Sequence, residues 1–475
     1  MKWHIRDLDS AIVDRDGLIL KGSSFCMMNI AVIKSRFQTK TSAALVNTGW
    51  LVSEKVIAMA LALLINISIA RVFGPELFGE FSYLFSLAAL LGPIGTLGVN
   101  AIVTREVINQ PDKAHVIIAS SIFVRFLGAI AVVCISLSIW FEGTLLGNLS
   151  NPDALLLLSF AGVFTSLQVL EFWYQAKVIS KDVVKWRIPV ILIFAAAKFY
   201  ALWLVTSFEL LIAIYAFELV VMGAVILILY SEKESKIKLS DIDIPYGFSL
   251  LKQSIWLLFS GVASLIYLKI DQIMLGQMTS NVEVGVYAVA SRLSEVWYFF
   301  PEALMASFFA SLLLHRKNKK EYYLRIQTLC DGLFAFALVL AIFITIFSEQ
   351  IIHVLYGNGY EKSSVILSIH IWAGCFVFMR ALLSKWLIAE DLLRFSLLSH
   401  GLGAVVNVVL NYWMIQEWQG VGAALATVIS YAIASYFTLF IYKPTREMAY
   451  VMTKSIFLPA RIMAMAPNYF WKRCT

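Results

Sequence analysis

Residues 254–310 decide the fold. The stretch opens Ser254-Ile-Trp-Leu-Leu-Phe-Ser-Gly261 and stays apolar to Gly276, and a second apolar run covers 284–310. Each is long enough to cross a bilayer as a helix, which takes about 20 residues. The first run carries Lys269 and Asp271, and the second carries Arg292, Glu295 and Pro301. A charge near mid-membrane costs roughly 2.5–3.5 kcal/mol on insertion scales, so such residues persist where they are paired, wetted or functional. A helix rises about 1.5 Å per residue, which puts Asp271 and Arg292 at similar depth, outward of the midplane and in position to meet. The stretch reads as one wall of a polar cavity inside a membrane bundle.

The rest of the chain repeats that character. It has 475 residues, 60% of them hydrophobic and 15% charged. A soluble core of that composition is anomalous. Twelve spans of about 21 residues need about 250, just over half of the chain. The net charge of +7 excludes little by itself. Its basic residues are dispersed in short loops between apolar runs, as orientation by positive charge requires, and this argues against nucleic-acid binding. The five cysteines, Cys26, Cys134, Cys330, Cys375 and Cys474, are scattered without metal or redox spacing and read as small hydrophobes. Residues 1–40 are mixed-charge around a short apolar run at 25–33, too short to span and without a signal-peptide pattern. A start at Met27 or Met28 is an alternative reading of that end.

The expected fold is all-α and integral to the membrane, with about twelve transmembrane helices. The spans fall near 45–70, 78–103, 116–140, 154–175, 188–207, 208–230, 254–276, 284–312, 328–348, 364–388, 395–416 and 421–442. Odd loops lack Lys and Arg at 141–153 and 277–283, whereas even loops are basic, for example Lys177, Lys181, Lys185 and Arg187. That alternation fits twelve spans with both termini cytoplasmic. The chain also repeats at an offset of a little over 200 residues. Gly74-Pro-Glu-Leu-Phe-Gly79 answers Gly276 and Gly285, Pro93 answers Pro301, and Lys181-Asp182-Val-Val-Lys185-Trp186 answers Glu390-Asp391-Leu-Leu-Arg394-Phe395. Six spans per half make the repeats parallel, related by an axis along the membrane normal. The expected organisation is a cytoplasmic segment 1–44, a six-helix lobe 45–230, a polar linker 231–253, a second lobe 254–442 and a cytoplasmic tail 443–475. The tail alternates basic and apolar residues, as an amphipathic surface helix or a loose end does.

Several motifs carry a family likeness. Tyr267-Leu-Lys-Ile-Asp271-Gln-Ile-Met-Leu-Gly276, Gly285-Val-Tyr287-Ala and Arg292-Leu-Ser-Glu295-Val-Trp297 open the second half. Asn407-Val-Val-Leu-Asn411 and Gly420-Val-Gly422-Ala-Ala-Leu-Ala-Thr427-Val-Ile-Ser430 close it, and Asn47-Thr-Gly-Trp50 and Phe172-Trp-Tyr-Gln175 fit the first half. Over about 40–445 the chain resembles the Wzx-type polysaccharide flippases of the multidrug/oligosaccharidyl-lipid/polysaccharide exporter superfamily. Gln416-Glu-Trp-Gln departs from the proline-containing turn of that family. The resemblance implies two lobes like those of the multidrug exporters. It also implies carriage of undecaprenyl-pyrophosphate-linked O-antigen repeat units across the bacterial inner membrane by alternating access. Membrane lipids are implied partners, with a polysaccharide polymerase and a chain-length regulator as candidates, and no nucleic acid. No cofactor is implied, and H+ or Na+ is the candidate coupling ion.

A pyrophosphate needs cations along a wetted path, Arg above all because its planar fork holds phosphate oxygens in pairs. The deepest cations are Arg125, Lys198, Lys269, Arg292 and Arg380, with Arg71 ending the first span. The acids at comparable depth, Glu218, Asp271 and Glu295, are candidates for ion coupling or for plain ion pairs. Lys198 with Glu218, Asp271 with Arg292, and Arg292 with Glu295 are the pairings that a purely structural role predicts. Arg71, Lys385 and Glu171 also suit snorkelling to an interface. His370 is a further coupling candidate. Enzyme signatures such as G-x-S-x-G, a Walker loop or HExxH are missing from the sequence, so the expectation is a transporter. A drug/cation antiporter of the same superfamily is the nearest alternative. An integral-membrane polysaccharide polymerase is the alternative from another class, against which the short external loops argue.

Overall fold

The structure is a computed structural model, and it describes residues 22–142, 151–205, 207–234, 237–316 and 318–461. Calls on residues 1–21, on Cys474 and on the end of the tail lie outside these residues. The first lobe comprises α1 (Gly22–Thr96), α2 (Asn100–Asn109), α3 (Ala114–Glu142), α4 (Pro152–Gly162), α5 (Leu170–Ala176), α6 (Lys181–Trp203) and α7 (Phe208–Lys233). The second comprises α8 (Ile244–Met278), α9 (Asn281–Glu295), α10 (Phe299–His315), α11 (Lys319–Tyr356), α12 (Glu361–His370), α13 (Ala373–Ala389) and α14 (Leu393–Ser435), followed by α15 (Arg446–Ile456).

Among the described residues, nine helical segments are long and apolar enough to cross a membrane. Two of them are double. Asn47–Thr96 breaks at Gly74, whose φ of +73° suits glycine, and Arg394–Phe440 breaks at Gln419, φ +50°. That makes eleven passes. The twelfth is α9 and α10, joined by a 3-10 turn over Val296–Tyr298. Pro301 has no N–H for the Trp297 carbonyl, so the helix tightens just before it. The chain is therefore a multi-pass membrane protein with the expected architecture. The closely spaced fifth and sixth spans do divide at 204–207, where Ser207 Oγ caps α7 by accepting the Leu210 N–H at 3.3 Å.

Matching turns give the repeat its register. After α5 the Ile179 N–H reaches back to the Tyr174 carbonyl at 3.0 Å, with Val178 at φ +58°. After α13 the Leu392 N–H reaches the Leu387 carbonyl at 2.8 Å, with Asp391 at φ +60°. These are one helix-ending motif, 213 residues apart (391 less 178). The expected superposition of Asp182 on Asp391 is thus wrong by one helical turn, since those positions differ by 209. The similar side chains sit inside α6 in one lobe and across the turn in the other. Gly79 and Gly285, 206 apart, mark the axis between the lobes. A Cβ on Gly79 would lie 1.7 Å from the Asn281 carbonyl oxygen, and one on Gly285 would lie 2.1 Å from that of Pro75. Gly276, expected to answer Gly74, instead receives the Tyr83 ring, 2.4 Å from where its Cβ would be.

The tail is helical as α15, with Met448, Ala449, Val451 and Met452 buried. Ser455 and Arg461 tie it to Asp331 of α11, at 2.7 and 3.1 Å. The linker is also anchored. Asp241 accepts from the Lys238 backbone N–H at 2.7 Å and faces His115 Nε2 at 2.9 Å. Those contacts hold its carboxyl below the usual carboxylate range.

Candidate functional site: the interlobe face and the second-lobe polar web

Asp271 is the centre of the second lobe's interior. It is buried on α8 and accepts from Tyr287 Oη at 2.7 Å and Asn411 Nδ2 at 2.8 Å. Thr427 Oγ1 lies 2.6 Å from Oδ2, the oxygen that Tyr287 also reaches, and 2.9 Å from the Ala423 carbonyl, with one proton to serve both. These donors come from α9 and from both arms of α14, so the break at Gln419 is what folds Asn411 and Thr427 onto one carboxylate. All of them are neutral. Asn411 Oδ1 and Asn407 Nδ2 are buried without partners, as is His370 Nδ1, whose ring stands edge-on to Tyr287 at 5.9 Å. A buried carboxylate ringed by neutral oxygens leaves one negative charge for a small cation to neutralise.

Arg292 does not meet Asp271. Although the two share a depth, α9 turns Arg292 outward from the second lobe, across to α1. Its guanidinium lies 5.2 Å from the Phe78 ring centre and 5.6 Å from that of Phe81, and Nη2 donates to Ser82 Oγ at 3.4 Å. Among the described residues no carboxylate stands within ion-pairing distance of it, Glu295 included. Glu295 pairs with Lys269 instead, at 2.9 Å. Across the interface, Lys198 pairs with Glu218 at 2.5 Å and sits 3.6 Å from the Tyr215 ring centre. Tyr215 packs on Phe81 and Phe85, so Arg292 and the Lys198–Glu218 pair share one aromatic wall.

The remaining expected site residues fall elsewhere. Arg71 closes the lobes at the face that loop charge predicts to be external, donating to the Leu355 and Val354 carbonyls at 2.8 and 2.5 Å. Tyr360 Oη adds a bond to the Ala70 carbonyl at 3.0 Å. Arg125 is buried in the first lobe with Nε unpartnered. Arg380 is buried inside the second lobe and not on the interlobe face. Glu171, expected to snorkel, is an ion-pair partner of Arg187, which also holds buried Glu54 at 2.9 Å. The sequence analysis did not single out Glu54, and it quoted Tyr287, Asn407, Asn411 and Thr427 within family motifs without joining them to Asp271. Two asparagines at i and i+4 in an apolar run were the available signal.

Residues 44–300 match the model of the polysaccharide biosynthesis protein family, and residues 257–413 match that of the MatE family. The chain belongs to the polysaccharide biosynthesis protein family. A probable low-salt glycan biosynthesis flippase of Haloferax volcanii is 22% identical over 189 residues, which is 39% of this chain and 40% of that relative. Among solved structures, the lipid II flippase MurJ in an inward closed conformation aligns with a TM-score of 0.67 at 16% identity, over 87% of this chain and 92% of that one. An inward-facing multidrug resistance MATE transporter of the MOP superfamily aligns at 0.64 and 14%, over 84% and 96%. The family matches and the shared fold bear out the superfamily resemblance drawn from the sequence.

Proposed function

We propose that this family member is a flippase, not an enzyme, that moves lipid-linked polysaccharide units across the bacterial inner membrane, with both termini cytoplasmic. The observation that carries the reading is Arg292, a cation between the lobes that lies against aromatic rings and, among the described residues, has no carboxylate partner. Such a group keeps its fork free for a phosphate oxygen of an undecaprenyl-pyrophosphate carrier, with Lys269 near the same path. The lobes meet at Arg71, Tyr360, Gly79 and Gly285 on the predicted external face. Alternating access then requires those contacts to part while the opposite side closes. Asp271 and its web couple this motion to Na+ or H+, because occupancy of the web changes the charge buried in one lobe. The O-antigen repeat unit is the glycan that the family likeness favours. A polymerase and a chain-length regulator are the partners that such a product meets outside.

The antiporter reading keeps one supporting observation, the Asp271 web, since cation exchange needs little more. Vesicles holding the purified chain separate the two. A fluorescent polyprenyl-pyrophosphate oligosaccharide placed in one leaflet should reach the other under a sodium or proton gradient, and Arg292→Gln should abolish that movement. Cation-driven export of organic cations, with the labelled lipid stationary, would instead establish the antiporter.

A further inference from the structure

Arg380 of α13 is nine-tenths buried in the second lobe, within electrostatic reach of Tyr267, as Asp271 also is. Its Nη1 donates to Ser399 Oγ and to the Ala434 carbonyl, both at 2.9 Å. Nε and Nη2, the edge that forms the side-on fork of a guanidinium, have no partner. Two further buried polar atoms, His400 Nδ1 and Ser435 Oγ, make no hydrogen bond of good geometry, although Ser435 faces the Tyr267 hydroxyl. They stand on the two arms of α14, each next in sequence to a residue, Ser399 or Ala434, that Nη1 holds. The Tyr267 ring closes the group, edge-on to His400 at 6.2 Å and 4.3 Å from Tyr431. Among the described residues no carboxylate pairs with Arg380. Glu295 is taken by Lys269, and Asp271 accepts from neutral donors.

A buried cation without a counter-charge is strongly destabilising, and a half-satisfied polar cluster adds to that cost. Water would fill the missing hydrogen bonds but not the missing charge. We infer that the Nε–Nη2 edge of Arg380, with Ser435 Oγ and His400 Nδ1, forms a binding site for a single-atom anion, chloride. Ser399, Ser435, Tyr267 and Tyr431 are all buried, so the surroundings of the fork are closed off and favour a monatomic anion over a pyrophosphate. The second lobe then holds a cation subsite at Asp271 and an anion subsite at Arg380, both within reach of Tyr267.

The test uses the purified full chain in nanodiscs, with chloride exchanged for gluconate at constant sodium and ionic strength. Chloride should raise the Tm of the wild type saturably, and bromide should do the same. Arg380→Gln should lose that dependence. Ser435→Ala, a small change that decides the matter should Arg380→Gln fail to fold, should raise the half-saturating chloride roughly tenfold. Crystals grown in bromide should show an anomalous peak within hydrogen-bond distance of Arg380. Equal Tm in chloride and gluconate means that water alone occupies the site and overturns the inference. So does an unchanged half-saturation in Ser435→Ala. Neither result bears on lipid transport, so the flippase reading stands or falls separately.

Discussion

Lys198 in the first lobe and Asn411 in the second occupy matching places, each twenty residues beyond the positive-φ residue, 178 or 391, that ends the preceding helix. The first lobe puts a charge there and neutralises it at once with Glu218, 2.5 Å away. The second puts an amide there and turns it on Asp271, whose other neighbours are a tyrosine and a threonine. One topology thus yields a lobe that is electrostatically closed at this point and a lobe whose carboxylate meets only neutral donors. On the proposed reading ion chemistry belongs to the second lobe, and the first supplies the aromatic wall against which Arg292 rests.

The largest effect that tests this contrast comes from Asp271. Asp271→Asn keeps the shape and most hydrogen bonds of the web while removing its charge, so lipid movement should fall to background with insertion unchanged. The charge-swapped pair Asp271→Arg with Arg292→Asp should not recover it, because the two residues touch different lobes and share no partner. Recovery of surface polysaccharide in the swapped pair would put them in direct contact and dissolve the contrast.

A smaller effect is expected in the closed lobe. Lys198→Met leaves Glu218 facing the membrane interior alone and should cost about 3 kcal/mol in detergent unfolding, whereas adding Glu218→Leu should restore most of it. Transport should follow stability in both variants. A double variant as unstable as the single one would mean that Lys198 acts through something other than Glu218.

Much of this was legible in the sequence because membrane spans are written in composition. Loop charge and apolar length are local properties, and they gave twelve passes and the parallel repeat. The internal register was not legible, since Lys181-Asp182 and Glu390-Asp391 look alike but stand one turn apart relative to the backbone turn that defines equivalence. Pairing was legible only in part. Lys198 with Glu218 follows from depth on adjacent spans, whereas Asp271 and Arg292 share a depth and point to opposite lobes, and depth says nothing about azimuth. Asn411, backed by Asn407, and Thr427 converge on Asp271 because α14 folds back at Gln419, a residue whose positive φ no residue preference announces.

The smallest effect concerns the matching turns themselves. Val178 at φ +58° and Asp391 at φ +60° hold the left-handed conformation that ends α5 and α13. This conformation costs an L-residue about 1–2 kcal/mol. A β-branched valine is the least suited to it, while an aspartate's short polar side chain tolerates it better. Val178 is 46% exposed, so little packing is lost on removing its side chain. Glycine gives back part of the gain through the freedom it restores to the unfolded chain. Val178→Gly should therefore raise stability by about 1 kcal/mol and Asp391→Gly by a few tenths, read as Tm in one detergent. If Asp391→Gly gained more, the aspartate would be the more strained of the two. The turns would then not be equivalent, and the register that places Lys198 opposite Asn411 would fail with them.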